Sequence, residues 1–135
     1  MSRLLFAESA RFVRWVKKNK LRGDVDKLYA ELALRPETGV VIPGTGGLRK
    51  VRMAGQGRGK SGGFRVVYVL VVNHSVALVV DGYSKSVKED LTADELAKLA
   101  NIVAGMLPDA ARMIEAAKTQ LREWPRGKKE QEGKL

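Results

Sequence analysis

The architecture of this chain follows from the stretch Phe64-Arg65-Val66-Val67-Tyr68-Val69-Leu70-Val71-Val72. The run is rich in β-branched and aromatic residues and has neither a helical period nor a capping residue, so it predicts a β-strand. It is apolar on both sides apart from Arg65, which predicts a central position in a sheet, and it makes Tyr68 a core residue. A tight turn at 73–75 then returns the chain as a hairpin partner from Val76 to Val80.

The segment before this strand matches two nucleotide-binding patterns. Ala54 to Ser61 satisfies a relaxed Walker A motif, and Gly57, Gly59 and Gly62 satisfy G-x-G-x-x-G. Both motifs work only when a helix follows the glycine loop, because the amides of its first turn hold the phosphates. Since a strand follows here, we expect no nucleotide cofactor.

Two amphipathic helices are predicted before the sheet. The first spans Glu8 to Asn19 and places its apolar residues on one broad side. Gly23 is expected to break this helix and Asp24 to cap the next, which ends at Arg35-Pro36. The two segments predict a helical hairpin.

Further strands are predicted between this hairpin and the central strand. Val40-Val41-Ile42 is a short apolar run, and Leu48 to Met53 alternates, with Lys50 and Arg52 on one face. The expected fold class is therefore α+β, with the helical hairpin packed on a twisted antiparallel sheet of three to five strands.

The last third of the chain is predicted to be helical. Thr92 and Glu95 form a capping box, and Pro108 should kink the helix or start a second one. After Pro125 the sequence is highly charged and predicts a disordered tail. We divide the chain into a domain at 1–107 and a C-terminal helical extension with a charged tail at 108–135.

The charge of the chain indicates a polyanionic partner. Its 135 residues carry a formal net charge of +10, and no acidic residue occurs between Thr38 and Val80. The cations of that region gain free energy by releasing counterions condensed on nucleic acid. They are Arg49, Lys50, Arg52, Arg58, Lys60 and Arg65.

Other features of the composition exclude several classes of site. The absence of cysteine excludes disulfides and thiolate metal sites, and a single histidine excludes a zinc-binding histidine pair and two-histidine ribonuclease chemistry. No apolar stretch is long enough to span a membrane, and the first seven residues do not have the pattern of a signal peptide. We therefore expect a cytoplasmic protein without a metal, a cofactor or a membrane anchor.

Several segments together resemble the RelE/HigB superfamily of toxins from bacterial toxin-antitoxin pairs, and its HigB-like branch in particular. They are Gly44-Thr-Gly-Gly-Leu-Arg-Lys-Val-Arg, Gly57-Arg-Gly-Lys-Ser-Gly-Gly-Phe-Arg-Val-Val-Tyr, Tyr83-Ser-Lys and Glu89-Asp90-Leu91-Thr92. The combination is far more specific than any one of these elements. The resemblance covers roughly residues 3–100.

The resemblance implies a microbial RNase fold and a ribosome-dependent endoribonuclease that cuts mRNA without a metal. It also implies a cognate antitoxin as a partner, beside the ribosome and mRNA. Carried over position by position, the catalytic candidates are Lys50, Arg52, Lys60, Arg65, Tyr83 and Lys85. Further cations that we expect to contact RNA are Arg49, Arg58, Arg11, Arg14 and Lys18.

The chemistry of such a site sets its own requirements. Cleavage through the 2′-hydroxyl needs a base, cations that hold the charge on the phosphorane, and an acid for the 5′-oxygen. Crowded cations are expected to lower the pKa of a lysine or of Tyr83 toward neutrality. Arg65, at the mouth of an apolar strand, needs an anion, either a substrate phosphate or Asp81.

Three other interpretations remain open on the sequence. Lys50 and Arg52 fit a solvated strand face without chemistry equally well. The ParE branch of the same fold is thought to inhibit DNA gyrase by binding, so a non-catalytic gyrase inhibitor is an alternative. A plain basic nucleic-acid-binding module is the third, and it would show a steep salt dependence without altering its ligand.

Overall fold

A computed structural model describes residues 4–54 and 63–133, with residues 120–133 described by their backbone alone. Strands and helices combine in one α+β arrangement, which confirms the predicted class. The elements, in chain order, are β1 (Leu5–Glu8), α1 (Ala10–Asn19), α2 (Arg22–Leu34), a 3₁₀ turn (Pro36–Thr38), β2 (Val40–Val41), β3 (Arg49–Met53), β4 (Phe64–Val71), β5 (Val76–Ser84) and α3 (Ala93–Gly133).

The five strands form one sheet in the order β1-β5-β4-β3-β2. Neighbouring strands from β2 to β5 are antiparallel, whereas β1 runs parallel to β5. The sheet is therefore mixed, and the expectation of an antiparallel sheet is wrong at the β1 edge. The sequence pattern did not indicate β1, because four residues are too few to show a period. The strand forms by pairing with Val76–Val79, which are far away in the sequence.

The first helix starts later than predicted because Ser9 caps it. The Ser9 hydroxyl accepts a hydrogen bond from the Phe12 amide at 3.0 Å and donates one to the Val80 carbonyl at 2.8 Å. Glu8, the predicted first residue of this helix, is the last residue of β1. Ser9 therefore both ends the strand and ties the helix start to β5.

The break between the two helices lies at Lys20 and not at Gly23. Lys20 adopts a left-handed conformation with φ 55°, and Leu21 is the N-cap of α2. Gly23 and Asp24 lie inside the first turn of α2, so the predicted break and cap are each misplaced. The helical hairpin itself is confirmed.

The sheet is covered on both faces. The α1–α2 hairpin packs on one face, where Phe12, Val16 and Leu32 are buried against Val66 and Tyr68. On the opposite face, Leu99 and Ala110 of α3 are buried with Val67, Leu78 and Val80 of the sheet. Covering both faces explains why β4 and β5 read as continuous apolar runs.

The last helix begins as predicted and then continues beyond Pro108. In the capping box the Glu95 amide donates to the Thr92 hydroxyl at 3.1 Å, and the Thr92 amide donates to the Glu95 carboxylate at 2.9 Å. A separate helix after Pro108 is not present, since α3 is one element to Gly133. Pro108 and Ala104 are both exposed, so water can satisfy the carbonyl that the proline leaves unbonded.

The backbone is also helical beyond Pro125, where we expected a disordered tail. Lys, Glu and Gln dominate that segment and are all good helix formers, which the high charge obscured. The boundary between 107 and 108 stays a prediction.

Candidate functional site

Three of the predicted site residues lie side by side across the sheet. Arg52 of β3 pairs with Arg65 of β4, and Arg65 pairs with Tyr83 of β5. Directly opposed residues on antiparallel strands share a face, with Cβ atoms about 4.5–5.5 Å apart. Tyr83 packs in the α3 cluster, the buried residues between α3 and the sheet that include Val80 and Leu99. This β3–β5 row (Arg52, Arg65 and Tyr83) therefore lies on the α3 face of the sheet.

Lys50 lies beside the row, two residues before Arg52 and therefore on the same face. Its Nζ donates to both carboxylate oxygens of Asp90, each at 3.2 Å. Asp90 belongs to the loop between β5 and α3 and was not among our candidate residues. The signal that could have found it was weak: Asp90 is part of a segment that carries the family resemblance, but the sequence gives no reason to place it near Lys50.

Arg65 is buried, with only 7% of the residue exposed, whereas Arg52 is exposed. The Arg65 guanidinium donates to the Phe64 carbonyl at 3.3 Å. The suggestion that Asp81 is its structural partner is wrong, because Asp81 forms its ion pair with Arg11 at 3.1 Å. Among the described residues, no carboxylate lies within ion-pair distance of Arg65.

Tyr83 is 4% exposed, and its hydroxyl has no hydrogen-bond partner in the described part of the chain. Burial raises the pKa of Tyr83, and the negative charge of Asp90 raises it further, while Arg65 acts in the opposite direction. The expectation that crowded cations lower the pKa of Tyr83 is therefore wrong. At neutral pH this side chain is a protonated phenol that can donate a hydrogen bond.

The pKa of Asp90 is held below its usual value. The main cause is a hydrogen bond from the Leu91 amide, and the hydrogen bond from Lys50 and the charges of Lys50 and Lys85 add to it. Asp90 is therefore ionised at neutral pH. It is a carboxylate set among cations.

The remaining catalytic candidates are Lys85 and Lys60, of which the structure describes Lys85. Lys85 follows the end of β5, where it is half-buried, and its amide donates to the Gly63 carbonyl at 3.2 Å. Its charge acts on Asp90, so it lies at the same end of the sheet as Lys50. Lys60, and Arg58 of the RNA-contacting set, lie outside the described residues.

The other residues predicted to contact RNA do not lie next to the β3–β5 row. Arg49 points to the helical-hairpin side of β3, where its guanidinium donates to the Glu37 and Gly39 carbonyls at 3.2 and 2.8 Å. Arg11, Arg14 and Lys18 belong to α1, which packs on the face opposite the row. Their contact with RNA stays a prediction.

Among the side chains that the structure describes, in residues 4–54 and 63–119, no group of three or more His, Cys, Asp or Glu could hold a metal ion. The helices of that same part of the chain include none with the length and apolar character needed to cross a membrane. The candidate residues that the structure describes at this site are cationic groups, the phenol of Tyr83 and the carboxylate of Asp90.

The fold of the chain is similar to that of solved structures. A double mutant of the E. coli toxin RelE in the free state is 20% identical, with a TM-score of 0.52 over 73% of this chain and 97% of that chain. The isolated E. coli RelE toxin is 19% identical, with a TM-score of 0.47 over 65% of this chain and 99% of that chain. The first of these likenesses supports a RelE-like fold.

The sequence itself carries the assignment to a family. Residues 6–123 match the model of the family described as the RelE toxin of the RelE / RelB toxin-antitoxin system. The HigB-like branch that the motifs suggested is not confirmed. With most of its length covered by that match, the chain belongs to the RelE toxin family.

Proposed function

We propose that this protein is a toxin that inhibits translation by cutting mRNA on the ribosome without a metal ion. The observation that carries the proposal is the β3–β5 row, in which two arginines lie beside a buried tyrosine hydroxyl that has no hydrogen-bond partner among the described residues, with Lys50 next to them. Such a set of donors suits the non-bridging oxygens of one RNA phosphate. A solvated strand face at Lys50 and Arg52 would not by itself account for the buried arginine, Arg65, that lies beside them.

The two arginines are suited to hold the phosphate. Negative charge accumulates on the phosphorane when the 2′-oxygen attacks, and preorganised donors in a partly dehydrated site stabilise that charge. Arg65 is the buried donor and Arg52 the exposed one, so the phosphate would enter from the Arg52 side. Lys50 adds a third cation once the phosphate competes with Asp90.

Tyr83 supplies a proton donor. Its raised pKa keeps the phenol neutral, yet a departing 5′-alkoxide is far more basic than a phenolate, so proton transfer to it is favourable. A hydroxyl without a partner in the described residues is free to turn toward the substrate. Catalysis by this group therefore needs no lowered pKa.

The burial of Arg65 and Tyr83 supports the dependence on the ribosome. Arg65 and Tyr83 are almost inaccessible, so a flexible single strand must be unstacked and oriented before one phosphate reaches them. A partner that fixes the mRNA would supply much of the rate by positioning alone. This activity would take place in the cytoplasm, where ribosomes translate.

Membership in a toxin family implies an antitoxin that restrains the activity. With a net charge of +10, the toxin would attract an acidic partner segment. We expect that segment to neutralise the face around Lys50 and Arg52 or to block entry into the ribosome.

Primer extension on an mRNA in a purified translation system, with and without ribosomes, tests the proposal. Wild-type protein should produce cuts that require ribosomes, and Lys50→Ala and Arg65→Ala should each lower cleavage by roughly 10²-fold or more. Lys27→Ala is the matched control, because it removes one exposed cation from α2 on the other face of the sheet. Melting curves identify any variant that fails to fold.

Intact mRNA with the folded wild-type protein would overturn the proposal. A DNA gyrase supercoiling assay would then test the ParE-like alternative, for which Lys50→Ala should remain active. Salt-dependent RNA binding without cleavage or gyrase inhibition would leave the simple binding module.

A further inference from the structure

The β3–β5 row and Lys50 beside it offer hydrogen-bond donors but no group that can accept a proton from the substrate. Arg52 and Arg65 stay charged in proteins, and burial keeps the Tyr83 hydroxyl protonated. Lys50 donates to a carboxylate. RNA cleavage through the 2′-hydroxyl cannot proceed with donors alone, because a base must take the hydroxyl proton.

We infer that Asp90 is this base, an inference that rests on the proposed RNA cleavage. Both of its carboxylate oxygens lie 3.2 Å from Lys50 Nζ, which places the acceptor next to a cation of the phosphate site. Its side chain is 61% exposed, so a ribose can approach it. One oxygen also accepts from the Leu91 amide at 3.0 Å, which fixes the carboxylate and leaves lone pairs for a substrate hydroxyl.

The other nearby carboxylates are less suited to this role. Asp81 is 5% exposed and is held by Arg11 and by the Gly82 amide. Glu95 is bound by Lys88 and belongs to the capping box of α3. Among the described residues, Asp90 is the exposed carboxylate in direct contact with a candidate catalytic cation.

The reaction balances with the groups present. Asp90 takes the 2′-hydroxyl proton as the 2′-oxygen bonds to phosphorus, and the bond from phosphorus to the 5′-oxygen breaks. The leaving 5′-oxygen takes a proton from Tyr83, and the proton on Asp90 returns to Tyr83 through water. The products are a 2′,3′-cyclic phosphate and a 5′-hydroxyl, with no net proton consumed.

The test is the Asp90→Asn variant, which keeps the shape and the acceptor for the Leu91 amide but removes the basic carboxylate. Single-turnover cleavage is measured on a stalled ribosome–mRNA complex at saturating protein. We expect the rate to fall by about 10²–10⁴-fold, as for the loss of a general base, with the half-saturating concentration little changed. Glu89→Gln is the control, because it removes an exposed neighbouring carboxylate and should cleave like wild type.

The pH dependence separates a base from a residue that merely positions Lys50. Without its base, the variant relies on hydroxide, so its deficit relative to wild type should shrink about tenfold per pH unit between pH 6.5 and 8.5. A deficit that is constant with pH would show that Asp90 acts only through Lys50 and would overturn the inference. An unchanged or faster rate would overturn it too, the faster rate showing that Asp90 merely occupies the phosphate site.

These outcomes differ from a failure of the proposed function itself. If wild-type protein does not cleave, both proposals fall. If wild type cleaves and Asp90→Asn cleaves equally well, the function stands and only the assignment of Asp90 is wrong.

Discussion

Replacing Tyr83 by phenylalanine should make the protein more stable and less active. The Tyr83 hydroxyl is buried without a hydrogen-bond partner among the described residues, a state that costs roughly 1–3 kcal/mol relative to water. Phenylalanine keeps the ring in the α3 cluster and removes that cost. We expect the free energy of unfolding to rise by about 1 kcal/mol and the melting temperature by about 2–5 °C.

The same substitution removes the proton donor from the proposed site. Ribosome-dependent cleavage should fall by about 10²-fold, which is typical for the loss of one donor to a developing charge. Urea denaturation measures the first effect, and single-turnover primer extension measures the second.

Tyr68→Phe is the matched control, since it deletes the same atom from the neighbouring strand. The Tyr68 hydroxyl donates to the Pro36 carbonyl at 2.7 Å and accepts from the Gly39 amide at 2.9 Å. Its loss leaves the buried Gly39 amide and the part-buried Pro36 carbonyl unpaired and should destabilise the fold by about 1–3 kcal/mol, with the cleavage rate of folded protein unchanged.

Two results would refute the reasoning about Tyr83. A loss of stability above about 1 kcal/mol in Tyr83→Phe would show that the hydroxyl has a structural partner. Undiminished cleavage by the folded variant would remove Tyr83 from the site.

Two further predictions concern stability. Gly82→Ala should destabilise the fold by about 1–3 kcal/mol, because a Cβ there would overlap the Trp15 ring; a wild-type urea midpoint would contradict this. For Glu8, burial raises the pKa, but hydrogen bonds from Arg22 and Tyr29 outweigh burial and hold it below 4.5. This depressed pKa stabilises the fold above pH 4.5 and ceases to do so as the pH falls through the folded value, so Glu8→Gln should cost about 1 kcal/mol at pH 7 and progressively less in urea titrations as the pH falls below 4.5.

Local patterns predicted most of the elements correctly. The β-branched run at Phe64, the capping box at Thr92 and the alternation around Lys50 each depend on residues close in sequence. The same patterns missed β1, whose four residues become a strand only through pairing with β5. They also allowed a second helix to start at Pro108, whereas α3 continues through this residue, because a proline on the exposed side of a packed helix is tolerated.

The candidate site shows the same division. The sequence indicated a cationic face on β3 because alternation places Lys50 and Arg52 together. It did not indicate Asp90, nor that Arg11 would hold Asp81, since both contacts join residues far apart in the chain. It also gave the wrong direction for the pKa of Tyr83, because burial outweighs the nearby cations.

The amino-acid sequence was sufficient to specify the class of fold, the excess of positive charge and the family to which the chain belongs. These depend on composition and on short-range periodicity, which survive in any conformation of the chain. Tertiary structure alone decided that Arg52, Arg65 and Tyr83 form one row, that Tyr83 is buried and that Asp90 lies against Lys50. Register, burial and ion pairing are properties of distances between remote residues, and only folding sets those distances.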